Sequence, residues 1–301
     1  MRVAAVVGPT ASGKTALAIA LAQRLNGEII SCDSMQIYRG MDIGTAKPTK
    51  EEQQSALHHM IDIAAPEEPF SCVQYAEKAV SCIEEITRRG KLPIFCGGTG
   101  LYLDSVLYET QFSAGGSDPA YRQILSGESP ETLHKMLTEI DPSSAASIHP
   151  NNVKRVIRAL EIYHVTGKPK SVWDMESHNV PARYDAIIFG LDYADRAKLY
   201  ERIDQRVDQM VEAGLEEEVR HLSLQPESTA AQAIGYKEFL AAARGECSRE
   251  EAIAQIKTAS RNYAKRQLTW FRRNHKVHWF YRDRMTFEEI VNNAVMLLTT
   301  P

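Results

Sequence analysis

The chain has 301 residues, of which 44% are apolar and 25% charged, and a formal net charge of −4. This composition fits a folded chain of one large or two ordinary domains and excludes disordered and collagen-like proteins. No apolar run approaches the ~18 residues needed to cross a bilayer, which excludes a membrane-spanning role.

The N-terminal run lacks the basic flank, long apolar core and cleavage site of a signal peptide. Cys32, Cys72, Cys82, Cys96 and Cys247 form no CxxC pair. They read as small core residues of a protein in a reducing compartment, and a cytoplasmic location is expected. His275 and His278 have no cysteine pair nearby and do not read as zinc ligands.

Charge is unevenly placed. Lys257–Arg284 carries nine Lys/Arg against the single acid Asp283, and 151–170 carries five against Glu161. Two basic islands on an acidic body point to a localised polyanion surface.

In chain order, Arg2–Val7 reads as a buried strand and Lys14–Leu25 as a helix. Glu28–Cys32 reads as a second strand and Met60–Ile63 as a third. Ser71–Arg89 reads as a helix with Ser71 as N-cap and Gly90 after a basic last turn. Leu92–Cys96 is another strand, closed by Gly97-Gly98-Thr99-Gly100. Strands alternating with helices predict a parallel α/β sheet. Near residue 112 the pattern changes: Ser113–Pro119 reads as a linker and 120–180 as helical. Ala186–Leu191 returns as a strand. Helices follow over Asp195–Leu222, Tyr236–Arg244 and Arg249–Arg273, then a strand at Val277–Tyr281 and a last helix. The expected division is a core over 1–112, a helical insertion over 113–183, and a second, mostly helical core part over 184–301.

Gly8-Pro9-Thr10-Ala11-Ser12-Gly13-Lys14-Thr15 fits G-x-x-x-x-G-K-[ST], with a strand before it and a helix after it. Its glycines turn successive N–H groups toward one anion, and the helix N-terminus adds its dipole. Lys14 supplies a point charge and Thr15 a hydroxyl for Mg²⁺. The strand at 92–96 ends without the carboxylate that usually holds the metal in such proteins. Asp33, after the neighbouring strand, reads either as a general base beside a polyphosphate or as a turn cap.

These residues resemble the tRNA dimethylallyltransferase (tRNA isopentenyltransferase) family, bacterial type. The resemblance rests on the phosphate loop, Ser31–Tyr38, Gly40–Pro48, Gly97–Tyr102, His149–Asn152 with Arg155 and Arg158–Glu161, Gly214–Val219, Ala233–Tyr236, and Arg261–Gln267 with Thr269 and Trp270. No zinc-finger extension of the eukaryotic kind follows them.

The resemblance implies transfer of a dimethylallyl group from dimethylallyl diphosphate to the exocyclic N-6 amine of adenosine at tRNA position 37. It implies a P-loop parallel sheet flanked by helices with a helical insertion domain on the anticodon stem-loop. It also implies Mg²⁺ and no ATP hydrolysis, so ATP is expected at the loop only as a competitor. Implied catalytic residues are Asp33, Thr15 and Arg220. Residues Gly8 to Thr15 are the implied diphosphate ligands, with Thr15 on the metal. Implied tRNA contacts are Asp33, Ser34, Met35, Gln36, Thr99, Arg122, Lys154, Arg155, Arg158, Gln232, Gly235, Tyr236, Lys237, Lys265, Arg266 and Arg273. A monomer is expected.

At 100° per residue, Arg261, Lys265, Arg266, Arg272 and Arg273 share one arc of about 140°, with Tyr263, Ala264, Leu268, Trp270 and Phe271 opposite. Three other readings stay open: a small-molecule kinase, a prenyltransferase acting on free adenine nucleotides, and a non-catalytic RNA-binding protein.

Overall fold

The computed structural model describes residues 1–108, 116–178 and 181–300. Its elements begin with β1 (Arg2–Val7), α1 (Lys14–Arg24), β2 (Gly27–Ser31), α2 (Lys50–Ser55), β3 (His58–His59), α3 (Cys72–Arg88), β4 (Leu92–Cys96) and α4 (Gly100–Leu107). The helices α5 (Pro119–Leu125), α6 (Pro130–Ile140), α7 (Pro142–Ser147), α8 (Val153–Thr166) and α9 (Lys170–His178) come next. The chain continues with β5 (Asp185–Asp192), α10 (Arg196–Glu212), α11 (Leu215–Leu222), α12 (Tyr236–Ala243), α13 (Arg249–Phe271), β6 (Val277–Tyr281) and α14 (Phe287–Thr299).

The strands form a six-stranded parallel sheet in the order β3-β2-β4-β1-β5-β6. Their β-branched, uninterrupted apolar runs suit strands covered on both faces. Leu17 and Leu21 of α1 share one core with Val6, Ile29 and Ile94 of the sheet and Ile290 and Ala294 of α14. On α3, the Tyr75 hydroxyl donates to Ser31 O at 2.9 Å and the ring stacks on Tyr102. β1 and β2 both pair with β4, so the carboxyl ends of these three strands open side by side, where open α/β sheets bind ligands. The strand ends touch: a Cβ on Gly97 would lie 2.1 Å from Cys32 O, which only glycine avoids.

The helix starts follow local chemistry. Ser71 and Gln74 close a capping box on α3. Asp118, Ser129 and Asp141 cap α5, α6 and α7, each followed by proline at the first helical position.

Two expected elements differ. The third strand is His58–His59 rather than Met60–Ile63, because Met60 and Asp62 take left-handed φ values of 63° and 57° that leave the ladder. The helix expected over 195–222 is two helices, broken where Gly214 adopts a φ of 100°. Part of the expected linker, 113–115, lies outside the described residues.

Two compact units result. One comprises Met1–Leu107 with Tyr184–Pro301, the other Tyr108–Arg183. The second unit has its own core of Leu125, Leu133, Leu137, Val156 and Leu160. Among the described residues no helix is long and apolar enough to cross a membrane.

The 41–48 segment, irregular in backbone, is held by side chains, Glu218 making the most bonds to its backbone N–H groups. Glu218 of α11 accepts from the backbone N–H groups of Asp42, Ile43 and Gly44 at 3.0, 2.7 and 3.0 Å, and from the Tyr236 hydroxyl at 2.5 Å. Lys47 crosses behind it to Asp42, Asp62 and Tyr38 O. Hydrogen bonds to a charged acceptor contribute about 1.5–3 kcal/mol each, and orphaned donors add a penalty. Glu218→Ala is therefore expected to lower unfolding free energy in urea by about 2–4 kcal/mol. Glu218→Gln should lose roughly half of that, and an Ala variant within ~0.5 kcal/mol of wild type would show that other contacts hold the segment.

Candidate active site

The loop from Gly8 to Thr15 joins β1 to α1 and faces a cavity of about 420 Å³. Its walls come from the loop, the strand ends at Asp33 and Cys96, α10, the turn before α12, and α13. Gln267 of α13 fixes the loop by accepting from Thr10 N at 2.9 Å and donating to Gly98 O at 3.1 Å. Lys14 Nζ donates to Pro9 O at 2.6 Å. Burial of its ammonium is the main reason its pKa falls to about 8; Arg206 pushes the same way and Asp33 opposes. The Thr15 hydroxyl lies beside the thiol of Cys96, whose pKa burial pushes up to about 12. That thiol stays protonated, so no anionic ligand stands at the end of β4.

Asp33 stands both at the turn and at the cavity. One carboxylate oxygen accepts from Met35 N at 2.9 Å and caps the turn, while the residue lines the cavity. Burial raises its pKa, against the pull of the Met35 N–H, Lys14, the Gln36 N–H and Arg206. Burial thus makes this carboxyl a stronger base than an exposed aspartate, with Lys14 and Arg206 close by to offset the effect.

Ser34, Met35, Gln36, Thr99, Gln232 and Gly235 lie around this space, and all but Thr99 line the cavity directly. Ser34 N donates to the Thr99 hydroxyl at 3.1 Å. The Gln36 amide is committed internally, accepting from Ser31 Oγ and donating to Thr45 O and Ala46 O. Tyr236 is fully buried with its hydroxyl on Glu218, so its ring supports the 41–48 segment and does not reach RNA. Lys237 is exposed, 3.5 Å from Glu238.

Arg220 is not brought to the cavity. It is exposed on α11 and paired with Glu216 at 2.6 Å, one helical turn away. The guanidinium that does face the loop is Arg206 of α10, which forms no ion pair with a described residue and whose pKa burial lowers. Sequence reading passed over Arg206 because it sits among alternating charges on a helix that reads as solvated. Its signal was its position three residues after Ile203 and next to Val207, on the buried stripe of α10. Tyr263, assigned to the packing face, also lines the cavity, where burial raises its pKa and Thr99 lies beside its hydroxyl.

The basic arc of α13 is partly spent on folding. Arg261 makes a two-point pair with Asp204 at 2.6 and 2.8 Å, and Arg272 bonds the wholly buried Asp192 at 2.9 Å. Lys265, Arg266 and Arg273 are exposed, Arg266 over the Tyr263 ring and Arg273 over the Trp270 ring. Trp270 is half-buried and donates to Asp104 at 2.9 Å, so it borders the basic surface rather than facing away from it. In the second unit, Arg122 and Arg158 both pair with the buried Glu161, at 2.7 and 2.5 Å, because a buried carboxylate must be compensated. Lys154 and Arg155 are exposed and form no ion pair with a described residue.

Among the described residues no group of three His, Cys, Asp or Glu side chains could hold a metal by itself. Magnesium fits nonetheless, since it binds through few protein oxygens plus substrate phosphates and water. Among the described residues, the buried Ser12 Oγ in the loop and Arg282 Nε, next to Gly13, have no hydrogen-bond partner.

The fold and the loop define a P-loop α/β protein. A family model described as IPP transferase matches residues 36–274. The chain belongs to that family. It is 52% identical over 297 residues to a tRNA dimethylallyltransferase of Anoxybacillus flavithermus, covering 98% of this chain and 95% of that one. It is 53% identical to the tRNA dimethylallyltransferase of Geobacillus kaustophilus, over 93% of this chain and 90% of that one. The crystal structure of the tRNA isopentenylpyrophosphate transferase of Bacillus halodurans matches with a TM-score of 0.75 and 44% identity, over 99% of this chain and 95% of that one. A eukaryotic dimethylallyltransferase acting on tRNA matches with a TM-score of 0.84 and 30% identity, over all of this chain and 80% of that one.

Lys14 gives a pH test. An anion at the loop favours the ammonium, so binding above the free pKa of about 8 must take up a proton. Calorimetry of inorganic diphosphate binding at pH 8.5–9, in buffers of differing ionisation heat, is expected to register this uptake beyond the ligand's own. Lys14→Met should abolish it; uptake unchanged in that variant would mean another group titrates.

Proposed function

We propose that this protein transfers a dimethylallyl group from dimethylallyl diphosphate to the N-6 amine of adenosine 37 in tRNA. The observation that carries the reading is the meeting of Asp33, Lys14 and Arg206 at the phosphate loop in one cavity. That cavity offers a buried base beside a cationic seat for a leaving anion, as this substitution needs.

The adenine amine attacks C1 of the dimethylallyl group, and the C1–O bond breaks with its electron pair going to the diphosphate. Charge grows on the leaving group, where Lys14, the loop N–H groups and Arg206 are preorganised to receive it. The proton leaving N-6 passes to the Asp33 carboxylate. Magnesium, when bound, supplies further charge neutralisation on the diphosphate, with Thr15 as its protein ligand. Ile203, Val207, Met210 and Ile256 give the cavity an apolar wall suited to the prenyl tail and help exclude water from the allylic carbon. The target base must leave its stack to enter, and Tyr263, Ser34 and Gln232 on the cavity wall would receive it.

RNA phosphates would meet the exposed Lys265, Arg266 and Arg273 of α13, and Lys154 and Arg155 of the second unit. These exposed cations set affinity and its salt dependence, not sequence choice.

Asp33→Asn is expected to bind tRNA normally and to lose about 10²–10⁴-fold in single-turnover transfer rate. Wild-type rates in that variant would remove Asp33 from the proton-accepting role. Lys265, Arg266 and Arg273 replaced together by alanine should weaken tRNA binding and flatten the log–log salt slope by roughly two units, at about 0.7–0.9 per phosphate. Arg261→Ala should instead cost stability and leave the slope unchanged, since Arg261 is bound to Asp204. The opposite pattern would move the RNA surface elsewhere.

A further inference from the structure

The cavity has two chemically distinct ends, and α10 runs from one to the other. Ile203, Arg206, Val207 and Met210 all line it, and their i, i+3, i+4, i+7 spacing makes them one face of the helix. Ile203 packs in a cluster with Ala11 of the phosphate loop, and Arg202 Nε donates to Ala11 O at 3.4 Å. Arg206 comes next, close enough for its charge to act on Lys14 and to feel that of Asp33. Val207 belongs to a different cluster, with Leu215, Ala233, Tyr236 and Ile256, and Met210 packs against that cluster. The face therefore leads from the anion seat, past the guanidinium, into an apolar end.

Met210 is the last residue of this face at the cavity. It follows Arg206 by one helical turn, about 6 Å along the axis at ~1.5 Å per residue. Side chains on a helix lean toward its N-terminus, so Met210 leans back toward Arg206. Its apolar neighbours are committed elsewhere: Val207, Leu215 and Ile256 are fully buried in the core, whereas Met210 is half-buried. Another wall of this end does not yield. Gly44 lines the cavity, and a Cβ there would lie 2.4 Å from the Tyr236 ring and 2.8 Å from Leu215. The Tyr236 hydroxyl is fixed on Glu218. Met210, unbranched and adaptable, is thus the side chain whose size decides how far the apolar end extends.

We propose that Met210 sets the length of the allylic group this site accepts, closing the apolar end one turn beyond Arg206 so that a five-carbon group fits and a ten-carbon group does not. The proposal rests on the prenyl-transfer reading given above and deepens it. With the diphosphate at the loop and Arg206, a dimethylallyl tail occupies the turn between Arg206 and Met210. A geranyl group adds one isoprene unit, and that unit would need the volume of the Met210 side chain. The chemistry is the same for both: the C1–N bond forms at N-6, the C1–O bond breaks with its electron pair on the diphosphate, and the N-6 proton passes to Asp33.

The test compares kcat/KM for transfer to unmodified tRNA from dimethylallyl diphosphate and from geranyl diphosphate, in magnesium, after thermal melting has shown each variant folded. The wild-type protein is expected to prefer the dimethylallyl donor at least about 100-fold. Met210→Ala should raise the geranyl-to-dimethylallyl ratio at least about 10-fold, and Met210→Leu, of similar volume, should leave it within about twofold. Met210→Val, a smaller truncation, should shift the ratio the same way by less, and it carries the test if the alanine variant does not fold. Damage to the fold lowers both activities together, so a ratio that stays put in the truncated variants would overturn the proposal. A wild-type protein that uses both donors equally well would overturn it too. If the wild-type protein transfers neither group to tRNA, the prenyl-transfer reading falls and this proposal with it, an outcome distinct from an unmoved ratio in active variants.

Discussion

The amide of Gln267 ties α13 to two distant places in the chain, the phosphate loop at Thr10, 257 residues away, and the β4 turn at Gly98, 169 residues away. A Cβ on Gly98 would sit 1.8 Å from its nitrogen, so the fit depends on bare backbone at that turn. Gln267 is itself buried, with Ala264 and Leu268 packing α13 against Leu199 and Ile203 of α10. One side chain thereby sets the loop, the end of the sheet and the helix that carries the exposed cations in a single frame. Arg206 enters the cavity from α10 because that helix packs against α13 in this register.

The charge distribution takes on a different meaning once the helices are packed. The second basic island looked like a continuous cationic surface. Acids of α10 meet part of it: Asp208 pairs with Lys257 and Asp204 with Arg261, while Asp192 takes Arg272. These pairs fix how α13 lies on the core. The cations left over are a shorter set toward the carboxyl end of the helix, where Tyr263 and Arg266 line the cavity. The same division holds in the second unit, where Glu161 consumes Arg122 and Arg158 and leaves Lys154 and Arg155.

Much of this was legible in the residues. The phosphate loop, its flanking strand and helix, the α3 capping box and the apolar strands follow from local chemistry that acts within a few residues. Asp33 was legible because a strand end next to the loop's strand must open into the same crevice. What escaped was nonlocal. Arg206 and Arg220 are both arginines on amphipathic helices, and only the crossing of α10 with α13 decides which one is buried. Tyr236 and Gln36 look like site residues in sequence because they border the site, yet their polar atoms are engaged with Glu218 and with Ser31, Thr45 and Ala46. The break at Gly214 was missed because the apolar spacing continues across it. Only the positive φ of the glycine separates the two helices.

The central claim is that one cavity seats a diphosphate leaving group beside a base that takes the proton of an RNA adenine. Its most direct test is to incubate the protein with labelled dimethylallyl diphosphate, magnesium and either unmodified tRNA or AMP, and to locate the label by nuclease digestion and mass analysis. The expected result is label on the adenosine at position 37 of the tRNA, with none on AMP. Label on AMP alone, or none on either acceptor while ATP is hydrolysed, would contradict it.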